Sequence, residues 1–166
     1  MDFVYTSVFD TDYESFVADP GPAEWLSARF PALVGGVGER ELVDVEALRG
    51  AIRAIALALA DHRSANPDDI DVLNLYAATP DIPPVLAGST RQAGRSGIRP
   101  GQALSKIARE AVRIFGEDQR DRVRRCAADD CELVFYDDSR AGVRRWCSMQ
   151  RCGNRAKVRA YRGRSR

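Results

Sequence analysis

The four cysteines of the chain lie close together near its C-terminal end, and they are the residues with the clearest chemistry. They are spaced as C-x4-C, fifteen residues, then C-x4-C, and they are Cys126, Cys131, Cys147 and Cys152. Structural zinc is held by four soft protein ligands in a tetrahedron, and two close cysteine pairs supply that set. The four-residue gaps are longer than the commonest two-residue gap, so the spacing favours zinc but leaves redox-active thiols and two disulfides open.

The expected cellular compartment helps to distinguish zinc ligands from disulfide-bonded cysteines. The N-terminal residues, MDFVYTSVFD, are acidic and lack a basic segment followed by an apolar one, so no signal peptide is predicted. The longest apolar run, residues 54–60, is far shorter than the roughly 20 residues that cross a membrane. We therefore expect a cytoplasmic protein without membrane association, and disulfides are disfavoured there.

Charge divides the chain into two parts, although its net charge is only +1. Residues 1–118 carry 11 Lys/Arg against 18 Asp/Glu, whereas residues 119–166 carry 14 against 6. From residue 139 onward there are ten basic residues and no acidic one. This asymmetry is typical of a basic module for a polyanion joined to an acidic body. The sequence therefore predicts an N-terminal domain over 1–118 and a small C-terminal domain over 119–166.

The N-terminal domain is predicted to be mainly α-helical with minor β content. Apolar residues spaced by three and four predict a long helix over 41–63, and they are Val45, Leu48, Ile52, Ile55 and Leu59. Asn66-Pro67-Asp68-Asp69 is typical of a helix start. Further predicted elements are a strand at 2–8, helices at 24–30 and 101–115, a glycine turn at 35–38 and a hairpin at 85–100. The only histidine, His62, is interpreted as a solvated residue of the last turn of the long helix.

The C-terminal domain is predicted to be a hairpin followed by a helix. We expect strands at 133–136 and 143–146 with a turn between them, and a helix beginning at Cys152. In that helix Arg155, Arg159 and Arg162 would share one face. Val158 and Tyr161 would pack on the hairpin, and Trp146 over the metal site.

Acidic residues near the hairpin tip are predicted to be structural rather than catalytic. Asp137 and Asp138 are expected to shape the turn or to pair with Arg144 or Arg145. No base or nucleophile lies near them in the sequence, and no nucleophile–base pair is recognisable elsewhere. We therefore expect no catalytic residues and a protein that is not an enzyme.

The C-terminal residues resemble the CGNR zinc finger. The resemblance rests on Leu133 to Asp137, Arg144 to Met149, the Cys152-Gly153-Asn154-Arg155 run and Lys157, together with the first cysteine pair. It implies that Cys126, Cys131, Cys147 and Cys152 all bind zinc in a small treble-clef-like module, and that this module binds DNA.

The N-terminal residues are similar to the ABATE domain, which often precedes this finger and is associated with stress-induced transcription regulation. Asp2-Phe3-Val4-Tyr5-Thr6 resembles the Asp-Phe-Val-Asn-Thr opening of that domain, with Tyr5 in the place of asparagine. The resemblance therefore carries no ligand or capping role of that asparagine over to Tyr5.

Taken together, these observations favour a DNA-binding transcription regulator. The basic residues predicted to contact nucleic acid are Arg144, Arg145, Arg151, Arg155, Lys157, Arg159 and Arg162. The N-terminal domain is expected to sense a small-molecule ligand or to form a homodimer. The alternative is a zinc-finger adaptor that binds a protein without sequence-specific DNA binding, and a merely solvated basic tail is the simplest competing interpretation.

Overall fold

The computed structural model describes residues 21–84, 86 and 97–164. The predicted strand at 2–8, including Tyr5, lies outside the described residues, as does most of the predicted hairpin at 85–100. At the end of that segment, Ile98 forms a single parallel bridge with Leu33.

Within residues 21–84 and 97–118 the N-terminal part contains four helices, and they confirm the predicted helices with small changes in their bounds. They are α1 (Gly21–Arg29), α2 (Glu39–Ala60), α3 (Pro67–Ala78) and α4 (Pro100–Phe115). The glycine turn lies before α2, where Gly35 and Gly36 have φ angles of 84° and 71°. No helix in the described ranges has the length and apolar character needed to span a bilayer.

The C-terminal end of α2 corrects the predicted bounds, because the helix stops at Ala60. His62 is exposed, as predicted, but it does not belong to the last turn of the helix. His62 lies beyond the helix with a φ of 54°, in the left-handed region that glycine usually occupies. Its amide donates to Leu59 O at 2.9 Å, and the Arg63 amide donates to Ala58 O at 2.8 Å. This is the Schellman arrangement, which satisfies the last carbonyl groups of a helix.

The N-terminal end of α3 confirms the predicted cap. Asn66 Oδ1 accepts a hydrogen bond from the Asp68 amide at 3.1 Å, and Pro67 begins the helix.

We expect Asn66→Ala to lower the free energy of unfolding by about 1 kcal/mol, because the Asp68 amide loses its partner. Urea unfolding followed by circular dichroism measures the change. Asn74→Ala, an exposed asparagine on the same helix, is the control, and equal effects of the two changes would contradict the prediction.

The hydrophobic core lies around α2. Four residues of its predicted apolar stripe are buried, namely Val45, Leu48, Ile52 and Ile55. Helices α3 and α4 both pack against α2 and also against each other. One polar contact ties α4 to the end of α3: the buried Ser105 hydroxyl donates to Thr79 O at 2.6 Å. The predicted, mainly α-helical body with minor β content is therefore confirmed within the described residues.

A two-stranded antiparallel sheet follows the helices and corrects the predicted hairpin. Strand β1 (Val123–Arg125) pairs with β2 (Val134–Tyr136), with Val123 opposite Tyr136. The predicted strand at 143–146 is wrong, because this segment forms only isolated backbone contacts, such as the bond from the Ala127 amide to Arg145 O at 2.9 Å. The hairpin thus encloses the first cysteine pair, and residues 143–146 run beside it.

The sheet is attached to the helices by apolar packing and by an ion pair. Val123, Val134 and Tyr136 belong to the same buried cluster as the core of α2. The Arg125 guanidinium binds both carboxylate oxygens of Asp61, one of them at 2.9 Å. Hydrogen bonds from Arg125 and then Arg63 hold the pKa of Asp61 well below its usual range. The strand that leads to Cys126 is therefore joined directly to the end of α2.

Candidate metal centre

The first cysteine pair lies in the loop that connects β1 to β2. Cys126 follows β1 directly, and its amide donates to Leu133 O at 2.8 Å. The Cys131 amide donates to Ala128 O at 3.0 Å, which closes a tight turn between the two cysteines. The strand pairing and this turn bring both side chains to the same side of the loop.

The loop that leads to the second cysteine pair is organised by one buried carboxylate. Asp137 is fully buried, and it accepts hydrogen bonds from the Ser139 amide at 3.0 Å, the Ser139 hydroxyl at 2.5 Å and the Arg144 amide at 2.8 Å. Burial raises the pKa of Asp137, but the bonds from Ser139 and Arg144 outweigh it and lower that pKa overall. These contacts agree with the structural role predicted for Asp137.

The second cysteine pair flanks a helical turn. Cys147 follows the loop, and its amide points to Cys126 Sγ at 3.5 Å. Cys152 lies in a π-helical turn (Met149–Gly153) that leads into helix α5 (Asn154–Arg164), so α5 begins two residues later than predicted. A side chain at Gly153 would meet Met149 Sδ at 2.7 Å and Trp146 at 3.3 Å, so glycine permits the close packing of this turn.

The four sulfur atoms lie together, all within 4.8 Å of one another. Cys131 Sγ is 3.8 Å from Cys147 Sγ, which is 3.6 Å from Cys152 Sγ. A tetrahedral zinc–thiolate site with bonds of about 2.3 Å has sulfur separations of roughly 3.8 Å. The four cysteines form no disulfide with one another, and these sulfur–sulfur distances far exceed the length of a disulfide bond. The arrangement therefore fits a metal ion bound by four cysteines.

The electrostatics of the cluster also favour a bound cation. Burial, followed by the neighbouring sulfurs, raises the pKa of the Cys147 thiol far above its usual range. Burial is also the main cause that raises the pKa of Cys131. Burial raises the pKa of Cys152 too, but hydrogen bonds from Arg155 and the other sulfurs outweigh it and lower that pKa overall. Four thiolates crowded in a partly buried site repel one another, and a divalent cation offsets that charge. Trp146 packs against the cluster, as the sequence predicted.

Three of the basic residues predicted to bind nucleic acid hold partners within the protein. Arg144 donates to Trp146 O at 2.9 Å and to Cys147 O. Arg155 and Arg159 contact Asp130 Oδ2 at 3.1 Å and 2.8 Å, and Arg159 lies 3.8 Å from Asp129. The first two arginines of the stripe predicted on α5 therefore contact an acidic loop, whereas Arg162 does not.

The sequence interpretation missed Asp129 and Asp130 because no acid follows residue 138, so α5 was treated as free of acidic neighbours. Their position inside the first C-x4-C loop was the available signal. Four ligands to one metal bring that loop next to the helix that begins after the fourth cysteine.

The remaining predicted contacts lie on the surface. Arg145 is exposed, with its guanidinium 5.0 Å from the centre of the Trp146 ring, and Arg151, Lys157 and Arg162 are exposed on or near α5. Arg151 and Arg162 line a shallow groove along the helix. Val158 and Tyr161 are 48% and 67% exposed, so the prediction that they pack on the hairpin is wrong. Nucleic-acid contact by the basic residues stays a prediction.

A hairpin and a helix that together present four clustered cysteines define a zinc-finger-type metal module attached to a helical domain. Comparison with known families agrees with this class. The CGNR zinc finger matches residues 122–165, and the ABATE family, "Putative stress-induced transcription regulator", matches residues 1–118. The chain belongs to the ABATE family and carries a C-terminal CGNR zinc finger. No curated protein matches the chain.

Proposed function

We propose that the protein is a zinc-dependent, DNA-binding transcription regulator of the cytoplasm. The main support is the position of the four-sulfur cluster at the base of a basic helix. Zinc is the metal that a tetrahedral set of four thiolates usually binds in proteins, and in such closed sites it orders the fold rather than reacting. Zinc held by Cys126, Cys131, Cys147 and Cys152 would fix the start of α5.

The surface beside α5 has the charge that phosphate binding requires. Arg145, Arg151, Lys157 and Arg162 are exposed around the metal module, and an exposed cation that neutralises a phosphate releases a counterion from DNA.

A role in binding rather than catalysis is part of this proposal. The buried carboxylate of Asp137 supports this part, because its hydrogen bonds order the loop before Cys147.

The proposal also includes ligand sensing by the N-terminal domain. A half-open cavity of about 550 Å³ lies at the C-terminal ends of α2 and α4. Leu59 and Phe115 contribute apolar surface to it, and His62 and Arg120 contribute polar groups. A small amphipathic molecule bound there would contact Arg120 three residues before β1, which leads to the metal module.

Salt-dependent binding to duplex DNA tests the proposed function. The zinc-loaded protein should bind DNA with an affinity that falls steeply with salt, and Lys157→Gln with Arg162→Gln should reduce the slope of log K against log salt by about 2. Fluorescence anisotropy at several salt concentrations measures the slope. Lys106→Gln, an exposed lysine of α4, is the matched control. Binding that is absent, or insensitive to salt and to the double change, would count against DNA as the partner.

The second candidate function is a protein-interaction adaptor. Val158 and Tyr161 are exposed among the arginines of α5, and tyrosine and arginine are enriched at protein interfaces. An adaptor would bind zinc and keep this fold, yet it would prefer no DNA sequence over random DNA.

A further inference from the structure

Arg155 connects the two halves of the cysteine cluster. Its Nη2 lies 3.2 Å from Cys152 Sγ, and its Nη1 lies 3.1 Å from Asp130 Oδ2. Asp130 belongs to the loop between Cys126 and Cys131, whereas Cys152 belongs to the second pair. One guanidinium therefore bridges a sulfur of the second pair and a carboxylate of the first loop.

We infer that Arg155 is a positioning residue of the metal centre rather than a phosphate contact, and that Asp130 holds it there. This inference rests on the zinc occupancy in the proposed function. Four thiolates and one Zn²⁺ leave two net negative charges, and a guanidinium next to one sulfur offsets part of that charge. Groups that orient metal ligands from outside the first coordination sphere contribute strongly to metal affinity.

The planar guanidinium suits this bridge because it directs N–H groups from two different nitrogens toward two acceptors. A phosphate that bound Arg155 would have to compete with Asp130 and would draw the guanidinium away from the sulfur. Asp130 also accepts a hydrogen bond from Arg159 at 2.8 Å. The loop that contains Asp130 is thereby fastened to the first two turns of α5.

Arg162 provides an internal comparison, because it lies on the same face of α5 two turns after Arg155. It is exposed, and among the described residues it forms no ion pair. The arginines of one helical face thus differ in role according to their distance from Asp130. Arg155 serves the metal centre, and Arg162 remains available to a polyanion.

Zinc release tests the inference with a readout independent of DNA binding. Zinc-loaded wild type, Arg155→Gln, Arg155→Lys, Asp130→Asn and Arg162→Gln are mixed with an excess of a chromogenic chelator, and the release rate is recorded. We expect Arg155→Gln to lose zinc about tenfold faster than wild type, with smaller increases for Arg155→Lys and Asp130→Asn. The matched control Arg162→Gln should release zinc at the wild-type rate.

The same variants are then compared in DNA binding at several salt concentrations. The slope of log K against log salt should be unchanged in Arg155→Gln and smaller by about 0.9 in Arg162→Gln. Equal zinc release from wild type and Arg155→Gln, or a lower slope in both variants, would overturn the inference. If Arg155→Gln does not fold, zinc release from Arg155→Lys and Asp130→Asn decides, and release at the wild-type rate from both would overturn the inference. If the wild-type protein, purified without chelators, contained no zinc, that result would instead overturn the proposed function itself.

Discussion

Cys147→Ser should reduce bound zinc from about one ion per chain to less than about a tenth of an ion per chain. It should also abolish DNA binding, because structural zinc contributes roughly 10 kcal/mol or more to the folding of such modules. The Cys147 sulfur is close to two others, at 3.8 Å and 3.6 Å, and its amide points to the sulfur of Cys126. A serine hydroxyl at this position is a poor substitute for a thiolate ligand of zinc.

Metal analysis of protein purified without chelators measures the first effect, and anisotropy with duplex DNA measures the second. Ser148→Ala changes the adjacent residue and should keep both zinc and DNA binding. A Cys147→Ser protein that retained one zinc ion per chain would show that Cys147 is not a ligand. If zinc were lost and DNA affinity kept, the metal module would not be the DNA-binding part.

Asp137→Ala should lower the free energy of unfolding by about 3 kcal/mol, because a buried carboxylate that accepts three hydrogen bonds is removed. The amides of Ser139 and Arg144 would lose their acceptor inside the loop that leads to Cys147. Urea unfolding of the zinc-loaded protein measures the change. Asp138→Ala, at an exposed neighbouring carboxylate, should cost well under 1 kcal/mol, and a similar loss for both changes would refute the role of Asp137.

The effect of Asp137→Ala should also depend on pH with a definite sign. The pKa of Asp137 in the folded protein is lowered from its ordinary value of 3.8. Its stabilising contribution is therefore present above that value and is lost as the pH falls through the lower folded-state pKa. The stability difference between wild type and Asp137→Ala should accordingly shrink below pH 3.8.

The helices and the cysteine cluster could be predicted because local rules determine them. The apolar spacing of α2 matches one helical face, and the four residues from Val45 to Ile55 on that stripe are buried. The cap at Asn66 follows from the chemistry of one side chain. Two C-x4-C pairs similarly predict that four thiols share a site, whatever the fold between them.

The strand partner and the contacts of α5 could not be predicted, because they depend on which distant segments meet. Residues 133–136 were correctly predicted as a strand, but either 123–125 or 143–146 could be its partner. Val123 has a buried place on α2, whereas Val143 is 68% exposed, so core packing favours 123–125. The pairing of Asp130 with Arg155 likewise joins two distant segments, and no local pattern in either one indicates the other.

The boundary between the two families, at residues 118–122, does not divide the hydrophobic interior. Val123, Val134 and Tyr136 pack with the residues of α2. The Arg125 guanidinium also binds the carboxylate of Asp61, the residue that follows that helix. The finger is therefore not an interchangeable module: moved to another protein, it would expose apolar side chains that here are covered. A substitution among these apolar contacts would therefore disturb the helical domain and the finger together.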